Sequence, residues 1–235
     1  DSIKQVGDHY TLTLPEDFTL SAEDLNLIRS GKVVVQNRTA TGNGFLIDNV
    51  KIHNIVGRVL LKGGPGVMKN CTLQGMGYNA IVAHAEVNTW PEVGYLHDVQ
   101  ILNNLFDNNN ARATHSDEWM QSGNMVDIQI TGTNESLSVT AAEDCMNANI
   151  LISGNVFKNR YANYAIRVNA VSDLIIRNNT FLPKYGETAQ SDTNTPILII
   201  GGNGIIVEDN TCPENVTAVV ENRFSIPGVS GNNVP

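Results

Sequence analysis

Short apolar runs along this chain are each closed by asparagine, and a large apolar side chain follows within a few residues. Residues 173–181 read Asp-Leu-Ile-Ile-Arg-Asn-Asn-Thr-Phe. The same phrase recurs at 147–157 (Asn-Ala-Asn-Ile-Leu-Ile-Ser-Gly-Asn-Val-Phe), at 204–212 (Gly-Ile-Ile-Val-Glu-Asp-Asn-Thr-Cys) and at 97–106 (His-Asp-Val-Gln-Ile-Leu-Asn-Asn-Leu-Phe). Residues 66–73 carry it too, and 45–50 carry a weaker copy. The punctuating residues are Asn49, Asn70, Asn104, Asn155, Asn179 and Asn210, spaced 21, 34, 51, 24 and 31 apart. A floor near 21 to 24 with longer gaps above it is the mark of a repeat that accepts insertions.

Each run predicts a β-strand of about four to six residues, too short to bury its own apolar face. Stacking successive copies solves this, because every strand then pairs with its equivalent about 4.8 Å away. The asparagine stacks as well: it tolerates an αL corner, and its amide can bond the asparagine of the next coil. The expected fold is all-β, a right-handed parallel β-helix. An antiparallel sandwich would instead need two-residue hairpin turns and clear in/out alternation, and neither is seen. Second strands fall at 57–62, 78–83, 164–169, 196–200 and 217–221, and a coil of about 24 residues allows somewhat under ten coils.

Three regions follow. Residues 1–44 are irregular: a strand at 10–14, a helix around 25–28 opened by Ser21 and ended by Gly31, and a strand at 32–36, serving as a cap or as the first coils. Residues 45–223 form the β-helix. Residues 224–235, rich in Gly, Pro and Asn, form a loosely packed tail. Long excursions at 84–96 and 108–125, and a smaller one at 184–195, project from the coils, and loops of this length on a rigid scaffold usually carry function.

Charge narrows the partners. With 15 basic and 24 acidic residues the net charge is −9, which argues against a nucleic-acid-binding surface, since that needs a basic footprint, and suits a neutral polar ligand. No apolar run approaches the roughly 18 residues of a membrane span. The chain shows no initiating Met and no signal-like apolar stretch, as expected of a mature or trimmed segment of something larger. Cys71, Cys145 and Cys212 read as interior thiols, with Cys71 and Cys212 in similar places beyond the corner. Of the five Asn-x-Ser/Thr matches (Asn37, Asn70, Asn134, Asn178, Asn215), two fall inside the corner itself and are by-products of the repeat.

The densest chemistry lies at 84–97, where His84, Glu86, Trp90, Glu92, Tyr95 and His97 share fourteen residues. Two carboxylates flanking a sugar bond are the equipment of glycoside hydrolysis, and a Trp face is a platform for a pyranose ring. The second excursion carries a similar mixture, with Asp107, His115, Asp117, Glu118 and Trp119. If the two excursions sit one or two coils apart, carboxylates about 5 or 10 Å apart become available, which covers both retaining and inverting pairs. The bland alternative is that Trp90 covers a loop end and the glutamates are solvated. Arg167, on an apolar strand, is expected to face outward. Asp127, Asp173 and Glu208 stand singly, giving no bunched Asp pattern for Ca²⁺. No phosphate loop, metal spacing or serine elbow is present, so neither cofactor nor metal is expected.

The stretch 79–106, with Asn79-Ala-Ile-Val-Ala-His-Ala-Glu86, then Trp90-Pro-Glu92-Val-Gly, then Val99-Gln-Ile-Leu-Asn-Asn-Leu-Phe106, resembles the β-helix of the glycoside hydrolase family 110 α-1,3-galactosidases. The likeness covers 45–215 in rhythm and about 80–106 in specific residues; Val93, between Glu92 and Gly94, departs from it. The resemblance implies a metal-independent, inverting exo-galactosidase acting on terminal α-galactosyl groups. Because that family is much longer than this chain, it also implies that these residues are a C-terminal portion holding part of the site. The expected protein is thus a carbohydrate-active β-helix, secreted, periplasmic or at the cell surface. Glu86, Glu92 and Asp107 are the candidate catalytic carboxylates. Trp90, His84, Asp117 and Trp119 are the candidate substrate contacts. The alternatives are a non-catalytic glycan-binding or structural module, and a polysaccharide lyase, which would need Ca²⁺ and a basic cluster.

Overall fold

In the computed structural model the described residues are 2–6, 9–13, 19, 21–30, 44–84, 94–114, 125–132, 141, 145–216, 218–223 and 229. The chain divides into two compact units, Asp1–Val35 and Gln36–Pro235. In the first, β1 (Ser2–Val6) pairs antiparallel with β2 (His9–Thr13), with Val6 opposite His9. This antiparallel pair is one that the repeat pattern gave no reason to expect. Helix α1 (Ala22–Arg29) begins directly after Ser21, whose carbonyl accepts the Leu25 N–H at 3.1 Å. The strand expected at 32–36 and the tail from 224 lie outside the described residues, Val229 excepted.

The second unit is a parallel β-helix of three sheets. The first sheet stacks β3 (Phe45–Asp48), β6 (Gly66–Lys69), β9 (His97–Leu102), β12 (Asn147–Ser153), β15 (Val171–Arg177) and β18 (Gly202–Glu208). The second stacks β4 (Lys51–His53), β7 (Thr72–Gln74), β10 (Leu105–Asp107), β13 (Val156–Lys158) and β16 (Thr180–Phe181), extended by a Thr180–Thr211 bridge. The third stacks β5 (Val59–Leu60), β8 (Ile81–His84), β11 (Ile128–Thr131), β14 (Ile166–Val168), β17 (Ile197–Ile199) and β19 (Val220–Asn222). Every pairing among them is parallel. Parallel neighbours must be joined by a crossover, here through the other two sheets, and chains of L-residues wind such crossovers right-handed. The described residues make six coils, fewer than the spacing allowed, because insertions take up much of the chain.

The core is built from files of equivalent residues, one per coil. Under the first sheet run Ile47, Met68, Ile101, Ile152, Ile176 and Val207. Under the second, Ile52 and Leu73 give way to Phe106, Phe157 and Phe181, whose rings stack at 4.7 and 5.0 Å with interplanar angles of 7° and 13°. Under the third run Val59, Ile81, Ile128, Ile166, Ile197 and Val220. At Gly66 a Cβ would meet the Phe45 ring at 2.1 Å, so glycine there makes room for the ring beside it.

The corner between the first and second sheets is two residues long in every coil, and it splits the asparagine's two expected roles between neighbours. The first position is left-handed: Asn49, Asn70, Asn103, Gly154, Asn178 and Asp209, with φ between 53° and 70°. The second is the exposed Val50 in the first coil and buried from Cys71 onward, and from Asn104 onward it forms the file. Asn104 Nδ2 donates to Asn155 Oδ1, Asn155 Nδ2 to Asn179 Oδ1, and Asn179 Nδ2 to Asn210 Oδ1, each at 3.0 Å. Each Oδ1 also accepts the backbone N–H of the preceding coil's residue at 2.9–3.0 Å. Asn49 and Asn70 therefore belong to the left-handed position and Asn104 onward to the buried one. Cys71 occupies the buried position one coil before Asn104 and donates its N–H to Asn104 Oδ1 at 2.8 Å. Cys212 lies instead in the phenylalanine file beyond Phe181, so the two thiols are not stacked equivalents. All three cysteines are free.

Candidate functional site

The other two corners vary in length, and both border the third sheet. Residues 85–96 and 132–146 leave the C-terminal ends of β8 and β11, whereas 108–127 enters the N-terminal end of β11. The two excursions singled out in the sequence therefore sit at opposite ends of the third sheet's strands and are not equivalent positions one coil apart. The simple 5 or 10 Å spacing between their carboxylates does not apply. The third sheet is nonetheless the one surface that insertions border on both sides.

Strand alternation puts one file of the third sheet outward: Leu60, Val82, Gln129, Arg167, Leu198 and Glu221. Its central members are nevertheless buried, with Gln129 5% and Arg167 6% exposed. Arg167 faces outward as expected, but it is not solvated. A polar chain crosses this face. Asn79 Nδ2 donates to Gln129 Oε1, Gln129 Nε2 donates to Thr131 Oγ1 at 3.4 Å, and Thr131 Oγ1 lies 3.1 Å from His84 Nδ1. His84 Nδ1 is also 3.0 Å from the Gly132 carbonyl. A carbonyl only accepts, so Nδ1 carries the proton, and in the neutral ring Nε2 keeps the lone pair. The Lys62 ammonium donates to the His84 carbonyl. Farther along, Tyr164 donates to Glu221, which also pairs with Arg223 at 3.1 Å. Burial, then the Glu221 carboxylate, raises the Tyr164 hydroxyl above its ordinary range.

His84 thus stands where expected, at the end of β8 and two residues before Glu86. Glu86, Trp90, Glu92, Asp117 and Trp119 lie outside the described residues. His97 opens β9 on the first sheet and contacts Asp98 at 3.1 Å. Asp107 stands on the second sheet, between Gln74 and Lys158 in register. It accepts from Gln74 and Asn159, each at 2.9 Å, and pairs with Lys158 at 3.3 Å. Both of its oxygens are occupied in holding neighbouring coils together, and it is not brought to the His84 face. Gln129, Thr131, Asn79 and Tyr164 were legible only as polar interruptions of apolar strands, a signal that a search for carboxylates and indoles passes over.

A second polar group is wholly interior. Asp127, Arg160 and Asp192 come from three consecutive coils at the corner between the second and third sheets, and each is at most 1% exposed. Asn109 Nδ2 donates to Asp127 Oδ1 at 2.9 Å, Arg160 Nη1 to the Leu182 carbonyl at 3.0 Å, and Arg160 Nη2 lies 3.8 Å from Asp192. Burial pushes the Asp127 carboxyl up to about 7, against the pull of Asn109 and Arg160. Burial also acts to raise Asp192, but bonds from Asn194 and the Lys184 N–H, with Arg160 beside it, leave that carboxyl below its ordinary value. Among the described residues no group of three or more His, Cys, Asp or Glu could hold a metal ion, and no helix is long and apolar enough to cross a membrane.

Compared with known proteins, the chain matches no family model and no curated sequence. The fold and the arrangement of its polar groups are therefore the ground for a functional reading.

Proposed function

We propose that this chain is part of a carbohydrate-active β-helix, a glycoside hydrolase acting on terminal α-galactosyl groups, with the outer face of the third sheet as its substrate surface. The observation that supports this reading is the position of the insertion bearing Glu86, Trp90 and Glu92. It leaves β8 directly after His84, beside a face of buried, mutually bonded polar side chains. Neutral sugars are bound by such sets of amides, hydroxyls and imidazoles backed by an aromatic platform. In this reading Glu86 and Glu92 divide the acid and base roles, Trp90 supports the sugar ring, and His84 stands at the root of that insertion. Asp107 is withdrawn from catalysis, because its oxygens are engaged on another sheet. A location outside the cytoplasm follows from such a substrate.

Galactose release from α-galactosides tests the reading. Wild type should release galactose, and Glu92→Gln and Glu86→Gln should each slow release by at least about 100-fold, the usual scale for losing a general acid or base. Asp107→Asn should change the rate by less than about threefold. Equal rates for wild type and both glutamate variants would remove the hydrolytic reading. Galactoside binding without turnover would replace it with a non-catalytic glycan-binding module.

A further inference from the structure

The outer surface of the corner between the second and third sheets carries an unusual row. Arg58, on the first coil, and Arg112, on the third, approach Tyr78 on the second. Their Cζ atoms lie 5.1 and 4.7 Å from the ring centroid, and Arg112 Nη1 donates to the Tyr78 hydroxyl at 2.8 Å. On the fourth and fifth coils the row continues as Tyr161 and Tyr185, whose rings stack at 4.5 Å. The backbone sets Arg112 beside Tyr78 and Tyr185 beside Tyr161, through Arg112 N–H to the Gly77 carbonyl and Tyr185 N–H to the Arg160 carbonyl. Tyr161 N–H donates to the Asn109 carbonyl, so the tyrosine pair is offset by two residues from Arg112 along the same corner. Tyr185 is 58% exposed, and beside it the Lys184 ammonium donates to Asn163 at 2.6 Å. Four strand spacings separate the ends of the row, about 19 Å along the axis.

Charge makes this row distinctive. In a chain with nine more acidic than basic residues, cations ordinarily find carboxylates. Lys69, Lys158, Arg160, Arg177 and Arg223 all do so. Among the described residues Arg58 and Arg112 have no carboxylate partner; each rests on the Tyr78 ring, a weak attraction at an exposed site. Glu187 is the acidic group that acts on Lys184 from outside the core, and it accepts from Ser191. A guanidinium stacked on an aromatic keeps most of its planar fork of donors for an anion.

We propose that this corner is a binding surface for an anionic polysaccharide lying along the β-helix axis. Arg58, Arg112 and Lys184 would receive its carboxylate or sulfate groups, and the exposed Tyr185 would carry a sugar ring. Most of these basic residues are far apart in sequence, and only the winding of the coils gathers them. The surface does not depend on hydrolysis at the third sheet, so it stands or falls separately from the activity proposed above.

Calorimetric titration with three oligosaccharide probes tests it: oligogalacturonate for carboxylates, a sulfated carrageenan fragment for sulfates, and a neutral galactan fragment. Wild type should bind at least one anionic probe at least tenfold tighter than the neutral one, and that affinity should fall as salt rises. Arg58→Gln with Arg112→Gln should abolish the preference, and Tyr185→Ala should weaken binding severalfold, while thermal melts stay close to wild type. Equal binding of anionic and neutral probes by wild type, or no binding of either anion, would overturn the proposal without recourse to any variant. An undiminished anion preference in the folded double variant would overturn it as well.

Discussion

A carboxyl with no water around it is costly to ionise, and Asp127 shows how far this fold carries that cost. Only one of its oxygens has a hydrogen-bond partner, Asn109; Oδ2 has none among the described residues. Desolvation raises the group to about 7 from an unfolded value near 3.8, Asp107 adds to the rise, and Asn109 and Arg160 oppose it. Below pH 3.8 both states hold the proton and the residue contributes no pH dependence. Between 3.8 and about 7 the folded state alone keeps it, so stability falls with rising pH, by up to about 1.4 kcal/mol per unit. Above 7 the penalty is complete. Asp192 works in the opposite sense: its lowered carboxyl contributes stability that is lost as pH falls. Asp127→Asn keeps the acceptor for Asn109 and removes the charge. Urea unfolding should find the variant within about 1 kcal/mol of wild type at pH 4 and at least about 3 kcal/mol more stable at pH 8. Parallel pH profiles for the two proteins would show that Asp127 is solvated or paired in a way this structure does not contain.

At the scale of the element, the two-residue corner decides what could be read in advance. It recurs with the same length six times, and its chemistry is local: a left-handed position that asparagine, aspartate or glycine fills, then, in the last four coils, a buried amide. Such a corner leaves a mark in the sequence, which is why the coils and their axis were legible there. It also explains the one-place slip at Asn49 and Asn70, since either position accepts asparagine. The other two corners carry no common residue, so the sequence said where insertions start but not which end of a strand they adjoin. That is why the two acidic excursions were expected to be neighbours along the axis, and why His97 and Asp107 were grouped with residues from which the sheets separate them. The outward polar row escaped notice for a related reason: Gln129 and Arg167 look like ordinary strand alternation until a third sheet holds them buried side by side. The amide file itself can be tested. In Asn155→Ala the N–H and side-chain Nδ2 of Asn104 both lose Asn155 Oδ1 as acceptor, and the Ile101 carbonyl loses its donor. Each stranded buried group costs about 1–3 kcal/mol, so chemical unfolding should show a loss of about 3 kcal/mol or more. A loss under 1 kcal/mol would mean that the file is ornamental and the aromatic and aliphatic stacks alone hold the coils.

The whole second unit behaves, on this architecture, as a one-dimensional stack in which each coil meets only its neighbours. The register makes a specific exchange possible. Residues 147–170 form one complete coil, because Asn147 is equivalent to Val171. Removing those 24 residues would bring β9 directly onto β15, Asn104 onto Asn179, Phe106 onto Phe181 and Ile128 onto Ile197, with every file closed one member shorter. The excised coil also takes Arg160 away, but Asp127 is largely protonated below pH 7 and Asp192 keeps its bonds from Asn194 and Lys184. At pH 6 the shortened protein should therefore keep its β-type circular dichroism and melt in a single cooperative transition, at a lower temperature than the parent. Removing 147–158 alone cuts less chain but ends in mid-coil, placing the second-sheet end of one turn against the third-sheet end of another, and that variant should not fold. If the half-coil deletion is tolerated as well as the whole one, the stability of the rod does not reside in register, and the stacking of like residue on like is a consequence of the winding rather than its cause.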